Sequence, residues 1–189
     1  MDSYNKTALA NIIYHNSFGR ANVTLASGRT SNFYFDMKPT MFVPEGAHFI
    51  AKFVHQEVEK IGAQFIGGLE MGAVPIVGAV CQYSYLTKHP IKGFFVRKKP
   101  KDHGAKKLIE GLVKGKSLAG KQVVVVEDVT TTGASAIQAI RACQEDGALV
   151  ALVISIVDRE EGAAQTFADL GIPFKSLYVA STFLQRTDD

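Results

Sequence analysis

The sequence has little of what would take it out of the ordinary globular class. Cysteine occurs twice in 189 residues, as Cys81 and Cys143, both in apolar, helix-like stretches with no C-x-x-C pair and no neighbouring histidine. Neither a disulfide framework nor a zinc site is expected, and the two read as small buried hydrophobes. The five histidines (His15, His48, His55, His89 and His103) form no H-E-x-x-H pattern, and most of them read as surface residues. Long apolar runs are missing: Ala148 to Val157 is too short to span a bilayer and contains Ser155. The N-terminus Met1-Asp2-Ser3-Tyr4 has no basic region followed by an apolar one, so a cytoplasmic protein is expected. No linker, repeat or low-complexity tract divides the chain, and residues 1–189 are expected to form one domain.

A general excess of one charge is absent too. The formal net charge is +3, yet residues 97–116 hold eight basic side chains against Asp102 and Glu110. The rest of the chain is therefore slightly acidic, which does not support a nucleic-acid surface.

What is present is an alternation of apolar strands and helix-permissive segments. Tyr4 to His15 has helical spacing, and Val23 to Leu25 with Phe33 to Phe35 reads as a hairpin capping the domain. A helix is expected from Pro44 to Lys60, with Phe49, Ile50, Phe53, Val54 and Val58 on its apolar face. Strands are expected at Phe65-Ile66, Phe94 to Val96, Val123 to Val126, Leu149 to Val157 and Leu177 to Val179. Helices from Ala73 to Tyr85, Ala134 to Glu145 and after Asp158 separate them. This order predicts an α/β protein with a mostly parallel sheet covered on both faces, and ligands at the C-terminal ends of its strands.

The most informative stretch is Val123-Val124-Val125-Val126-Glu127-Asp128-Val129-Thr130-Thr131-Thr132-Gly133-Ala134-Ser135. Four β-branched residues suit a strand buried on both faces, and the polar, Gly-containing turn from Glu127 opens into a helix whose N-terminus favours an anion. The turn could be structural only, since Thr and Gly commonly serve such connections. Two carboxylates beside it favour a ligand that offers hydroxyls as well as phosphate.

Gly111-Leu112-Val113-Lys114-Gly115-Lys116-Ser117 imitates a phosphate-binding Walker loop but has too few residues between its glycines and precedes a strand. No G-x-G-x-x-G occurs, so kinase and nicotinamide chemistry both fall behind.

The strand, the acidic pair and Val129-x-Thr131-x-Gly133 resemble the phosphoribosyl pyrophosphate (PRPP) motif of type I phosphoribosyltransferases. The run Arg97-Lys98-Lys99-Pro100-Lys101-Asp102-His103-Gly104, which alone could be a solvated loop, resembles the catalytic loop of the orotate phosphoribosyltransferases. The resemblance implies the type I fold with an N-terminal hood within residues 1–40. It implies transfer of phosphoribose from PRPP to orotate, giving orotidine 5′-monophosphate and pyrophosphate in pyrimidine (UMP) biosynthesis.

It also assigns roles. Glu127 and Asp128 meet the ribose hydroxyls, while Val129, Thr130, Thr131, Thr132, Gly133, Ala134 and Ser135 cradle the 5′-phosphate. Arg97, Lys98, Lys101 and His103 meet the diphosphate, Thr131 and Arg159 meet orotate, and Asp128 joins the four loop residues as catalytic. Magnesium would arrive on PRPP without a direct protein ligand. The loop would reach into a partner's site in a homodimer. Departure of pyrophosphate builds negative charge on its oxygens, and preorganised cations lower that barrier, with Lys101 the strongest candidate. Asp158 with Glu161 is also expected to cap the following helix.

Two departures stand out. Ala26, in Ala26-Ser27-Gly28-Arg29-x-Ser31-x-x-Tyr34, replaces a lysine that many relatives carry, with Arg29 or Lys38 as candidate substitutes, and Glu70-Met71 replaces Tyr-Lys. A phosphoribosyltransferase for another base, or a PRPP-binding regulator without catalysis, are the alternatives.

Overall fold

The computed structural model describes residues 3–24, 30–100 and 108–186, the side chains of Ser3, Tyr4 and Thr24 excepted. Helix α1 (Ser3–Ser17) turns Leu9, Ala10 and Ile13 into the core, the same-face spacing its sequence sets. Two nested antiparallel pairs follow. The outer joins β1 (Phe18–Gly19) to β4 (Tyr34–Phe35), and the inner joins β2 (Val23–Thr24) to β3 (Thr30–Ser31). The expected pairing of residues 23–25 with 33–35 is corrected by this register. Phe35 is drawn to Phe18 and Phe183, with ring centroids 5.2 and 5.3 Å away, and this fixes the outer pair against the core.

Helix α2 (Lys38–Met41) leads into α3 (Pro44–Ile61), which starts on Pro44 and stops at Gly62, whose φ of 70° is readily adopted only by glycine. Ile50, Phe53, Val54 and Val58 are buried as expected, each such side chain worth about 1.5–3 kcal/mol in transfer free energy. His55 departs from the surface reading of the histidines: it is buried, with Nε2 3.1 Å from the His89 carbonyl.

Strand β5 (Phe65–Gly67) and helix α4 (Ala73–Leu86) repeat the strand–turn–helix unit, and β6 (Lys92–Gly93) flanks β5 in parallel. The next strand, β7 (Phe95–Val96), pairs antiparallel with β8 (Ile109–Glu110) and keeps a parallel bridge from Val96 to Leu69 beyond β5. Then come β9 (Gln122–Thr130), α5 (Ala134–Glu145), β10 (Leu149–Asp158), α6 (Ala163–Asp169), β11 (Phe174–Val179) and α7 (Ser181–Leu184).

The five sheet strands run β11-β10-β9-β5-β6, every neighbouring pair parallel, as the alternation predicts. The valine run explains its own burial. Val124 and Val126 enter the core beneath α1, α3 and α4, whereas Val123 and Val125 enter a second core beneath α5 and α6.

Two local expectations are corrected. The turn was expected to begin at Glu127, but β9 continues to Thr130 because Glu127, Val129 and Thr130 pair with Ser155, Val157 and Asp158 of β10. Asp158 does not cap a helix. Its Oδ1 accepts the Glu160 N–H at 2.9 Å in a tight turn, and the helix begins only after Gly162, whose φ is 104°.

Candidate active site

The C-terminal ends of β5, β9 and β10 converge with the N-terminus of α5. Thr131, Thr132 and Gly133 connect β9 to α5; Gly133 has φ 89°, and a Cβ there would stand 2.8 Å from the Phe167 ring. No side chain caps this 12-residue helix, so its first amides remain available, and its dipole favours an anion. Glu127 and residues 129–136 line a cavity of about 210 Å³ around these amides.

A second cavity of about 310 Å³ adjoins it, sharing Glu127, Val129 and Ser135. Lys38, Glu70, Met71, Lys98 and Asp128 also line it. The paired cavities offer an amide-rich cradle beside a chamber bearing carboxyl and ammonium groups. That arrangement suits a phosphate on one side of a polyhydroxyl ring and a second anion on the other.

Successive strand positions separate the two acidic residues. Glu127 is only 6% exposed, and its Oε1 finds no hydrogen-bond partner among the described residues; the same holds for Thr130 Oγ1. Burial, reinforced by the Asp128 charge and opposed by Lys98, pushes the Glu127 carboxyl up to about 8. Asp128 is half-buried and also raised, by burial first, against backbone amides and Lys38, which pull it down. A Cβ on Gly72 would run into the Asp128 carboxylate, so glycine there lets the β5–α4 turn come close.

That turn, which contains a cis peptide between Glu70 and Met71, holds the start of the basic run. Glu70 Oε1 accepts the Lys98 N–H at 2.9 Å, and Gln138 Nε2 on α5 donates to the Lys98 carbonyl at 3.1 Å. Lys98 reaches the larger cavity; Arg97 lines neither cavity and donates from Nε to the Lys99 carbonyl at 3.1 Å. Lys101, His103, Ala26 and Arg29 lie outside the described residues.

Arg159 occupies the end of β10 and is 5% exposed. Its Nε lies 2.6 Å from Glu161 Oε1, its Nη2 donates to Ser31 Oγ at 3.0 Å, and its guanidinium carbon lies 4.3 Å from the Phe33 ring centroid. The hood strands therefore meet the sheet at this arginine. The structure thus brings Lys98, Glu127, Asp128 and residues 129–135 together around two joined cavities, with Thr131 and Thr132 half-exposed in the cradle. Arg159 stands beside them at the next strand end and lines neither cavity. Sequence reasoning gave no role to Gln138 or Phe33, and read Glu70-Met71 only as a replacement of Tyr-Lys, with the lysine lost at Met71. Their contacts span 28 to 126 residues, so no local pattern could announce them.

A parallel sheet with an acidic strand end, an amide cradle and an adjoining chamber of carboxyl and ammonium groups fits the phosphoribosyltransferase class, and residues 42–169 match the phosphoribosyl transferase domain family. The chain is 59% identical over 184 residues to the orotate phosphoribosyltransferase of Rhodopseudomonas palustris (strain BisB5), covering 97% of this chain and 98% of that one. It is 57% identical over 182 residues to the enzyme of that name from Bradyrhizobium sp. (strain BTAi1), covering 96% and 98%. The crystal structure of Mycobacterium tuberculosis orotate phosphoribosyltransferase in complex with PRPP superposes with a TM-score of 0.77 at 30% identity, covering 95% of this chain and 98% of that one. This chain belongs to the orotate phosphoribosyltransferase family.

Proposed function

We propose that the protein transfers the phosphoribosyl group of PRPP to orotate, releasing pyrophosphate and forming orotidine 5′-monophosphate, a step of pyrimidine biosynthesis. The observation that carries the site assignment is the pair of cavities meeting at Glu127, Val129 and Ser135. The α5 amides suit the 5′-phosphate, and Asp128 and Glu127 suit the ribose hydroxyls. At neutral pH a Glu127 raised to about 8 is largely protonated and donates a hydrogen bond to a ribose oxygen. Arg159 presents a planar fork suited to the orotate carboxylate, with Thr131 facing the base. Lys98, with Arg97, Lys101 and His103 of the same run, gathers positive charge where pyrophosphate departs.

Magnesium fits as a companion of the diphosphate. Phosphate oxygens are hard ligands that suit it, with Asp128, which lines the larger cavity, as a nearby oxygen donor. When bound, the cation neutralises charge on the departing oxygens.

A homodimer is our reading of the assembly. Its support is a cavity of about 320 Å³ between α3 and α4, lined in part by Ala47, His48, Tyr83 and the exposed Leu86, with exposed Tyr85 on the same helix α4. The two free cysteines support a cytoplasmic location, and no described helix is long and apolar enough to cross a membrane.

Loss of orotate absorbance with PRPP and magnesium present tests the activity. PRPP binding without turnover would favour the regulator reading instead.

A further inference from the structure

Lys38 is not part of any motif, yet it opens α2 and lines the larger cavity together with Met71 and Lys98. Asp36 fixes it twice: Oδ1 accepts the Lys38 backbone N–H at 3.1 Å and stands 2.6 Å from Nζ. The side chain is 64% exposed and lines the cavity, so the ammonium is held at Asp36 by that ion pair rather than by packing. The hydrogen bond to Asp36, against a small burial penalty, and the charges of Asp36 and Asp128 push the ammonium's pKa up, which keeps it charged throughout the neutral range.

The cavity needs that charge. Its described lining sets Lys38 and Lys98 against the carboxyl groups of Glu70, Glu127 and Asp128. Glu70 accepts the Lys98 backbone N–H, a bond that does not use the Lys98 ammonium. A diphosphate placed beside the Asp128 carboxylate gains attraction from each further cation within reach. Exposed Met71 contributes none.

We infer that Lys38 is a diphosphate-binding residue, which leaves Asp36 and, with Lys98, meets the PRPP diphosphate. This inference deepens the proposed function and rests on it. Lys38 is a binding residue by this account and does not move a proton.

The test compares wild type, Lys38→Met and Lys38→Arg in steady-state kinetics, with inorganic pyrophosphate as product inhibitor. Lys38→Met is expected to raise both the KM for PRPP and the inhibition constant of pyrophosphate about tenfold, the scale of one lost charge-assisted contact. The KM for orotate should stay put, and Lys38→Arg should recover most of the loss. Wild-type values of PRPP KM and pyrophosphate inhibition in Lys38→Met would overturn the assignment, and so would an equal rise in the KM for orotate. A wild-type protein that does not consume orotate would instead overturn the proposed function. Calorimetric titration of pyrophosphate into folded wild type and Lys38→Met would then still decide Lys38.

Discussion

The guanidinium of Arg159 lies 4.3 Å from the ring centroid of Phe33, so a strand end of the central sheet and the N-terminal hood meet face to face across 126 residues of sequence. Glu161 completes the clamp with its carboxylate 2.6 Å from Arg159 Nε. This leaves one edge of the fork committed to the protein and its orientation fixed before a substrate carboxylate arrives. Glu161→Gln is expected to raise the KM for orotate about tenfold, as one charge-assisted bond weakens, and to leave the KM for PRPP unchanged. Equal rises in both constants would mean that Glu161 serves the fold and not orotate.

Asp128 and Glu127 should respond differently to amide substitution. Asp128 borders the chamber half-exposed, so Asp128→Asn is expected to weaken PRPP binding and lower kcat together. Glu127 is largely neutral at pH 7, so Glu127→Gln preserves both its charge and its shape and should cost much less. Parallel kinetics of the two variants check this, and the reverse ranking would refute the assignment.

Stability gives an independent view of Glu127. Its ordinary value is 4.5 and its folded value about 8, so the folded protein binds the extra proton between them. The stability tied to that proton is full below pH 4.5 and is lost as pH rises through 8, at up to about 1.4 kcal/mol per pH unit. Thermal melts from pH 5 to 8.5 should therefore show a flatter decline for Glu127→Gln than for wild type. Superimposable pH slopes would mean that Glu127 is ionised in the folded protein.

Lys101 lies outside the described residues, and its role follows from the resemblance of the basic run to the catalytic loop. Because its contact should strengthen as pyrophosphate departs, Lys101→Ala is expected to lower kcat far more than it raises the KM for PRPP. An unchanged kcat would remove it from the chemistry.

Much of the sheet was legible because burial on both faces writes itself as consecutive valines at 123–126, and Pro44 and Gly62 mark α3 at both ends. Strand β9 outran its legible part because Glu127, Asp128 and Thr130 look like turn residues locally and are held extended by β10. Asp158-x-x-Glu161 matches a capping pattern, yet its carboxylates bind the Glu160 amide and Arg159. The cradle could be read because its parts adjoin in sequence. Phe33 and Gln138 could not, since each reaches the site by tertiary placement alone, and Lys38 could be named only as a candidate substitute for the lysine absent at Ala26.

The most direct test of the whole account is the ratio of kcat/KM values for a panel of bases (orotate, uracil, adenine and hypoxanthine) at fixed PRPP and magnesium, with the product identified by mass. The account predicts orotidine 5′-monophosphate as the product and orotate as the preferred base, with uracil, which lacks the carboxylate for Arg159, far behind. Turnover of a purine in preference to orotate would contradict it.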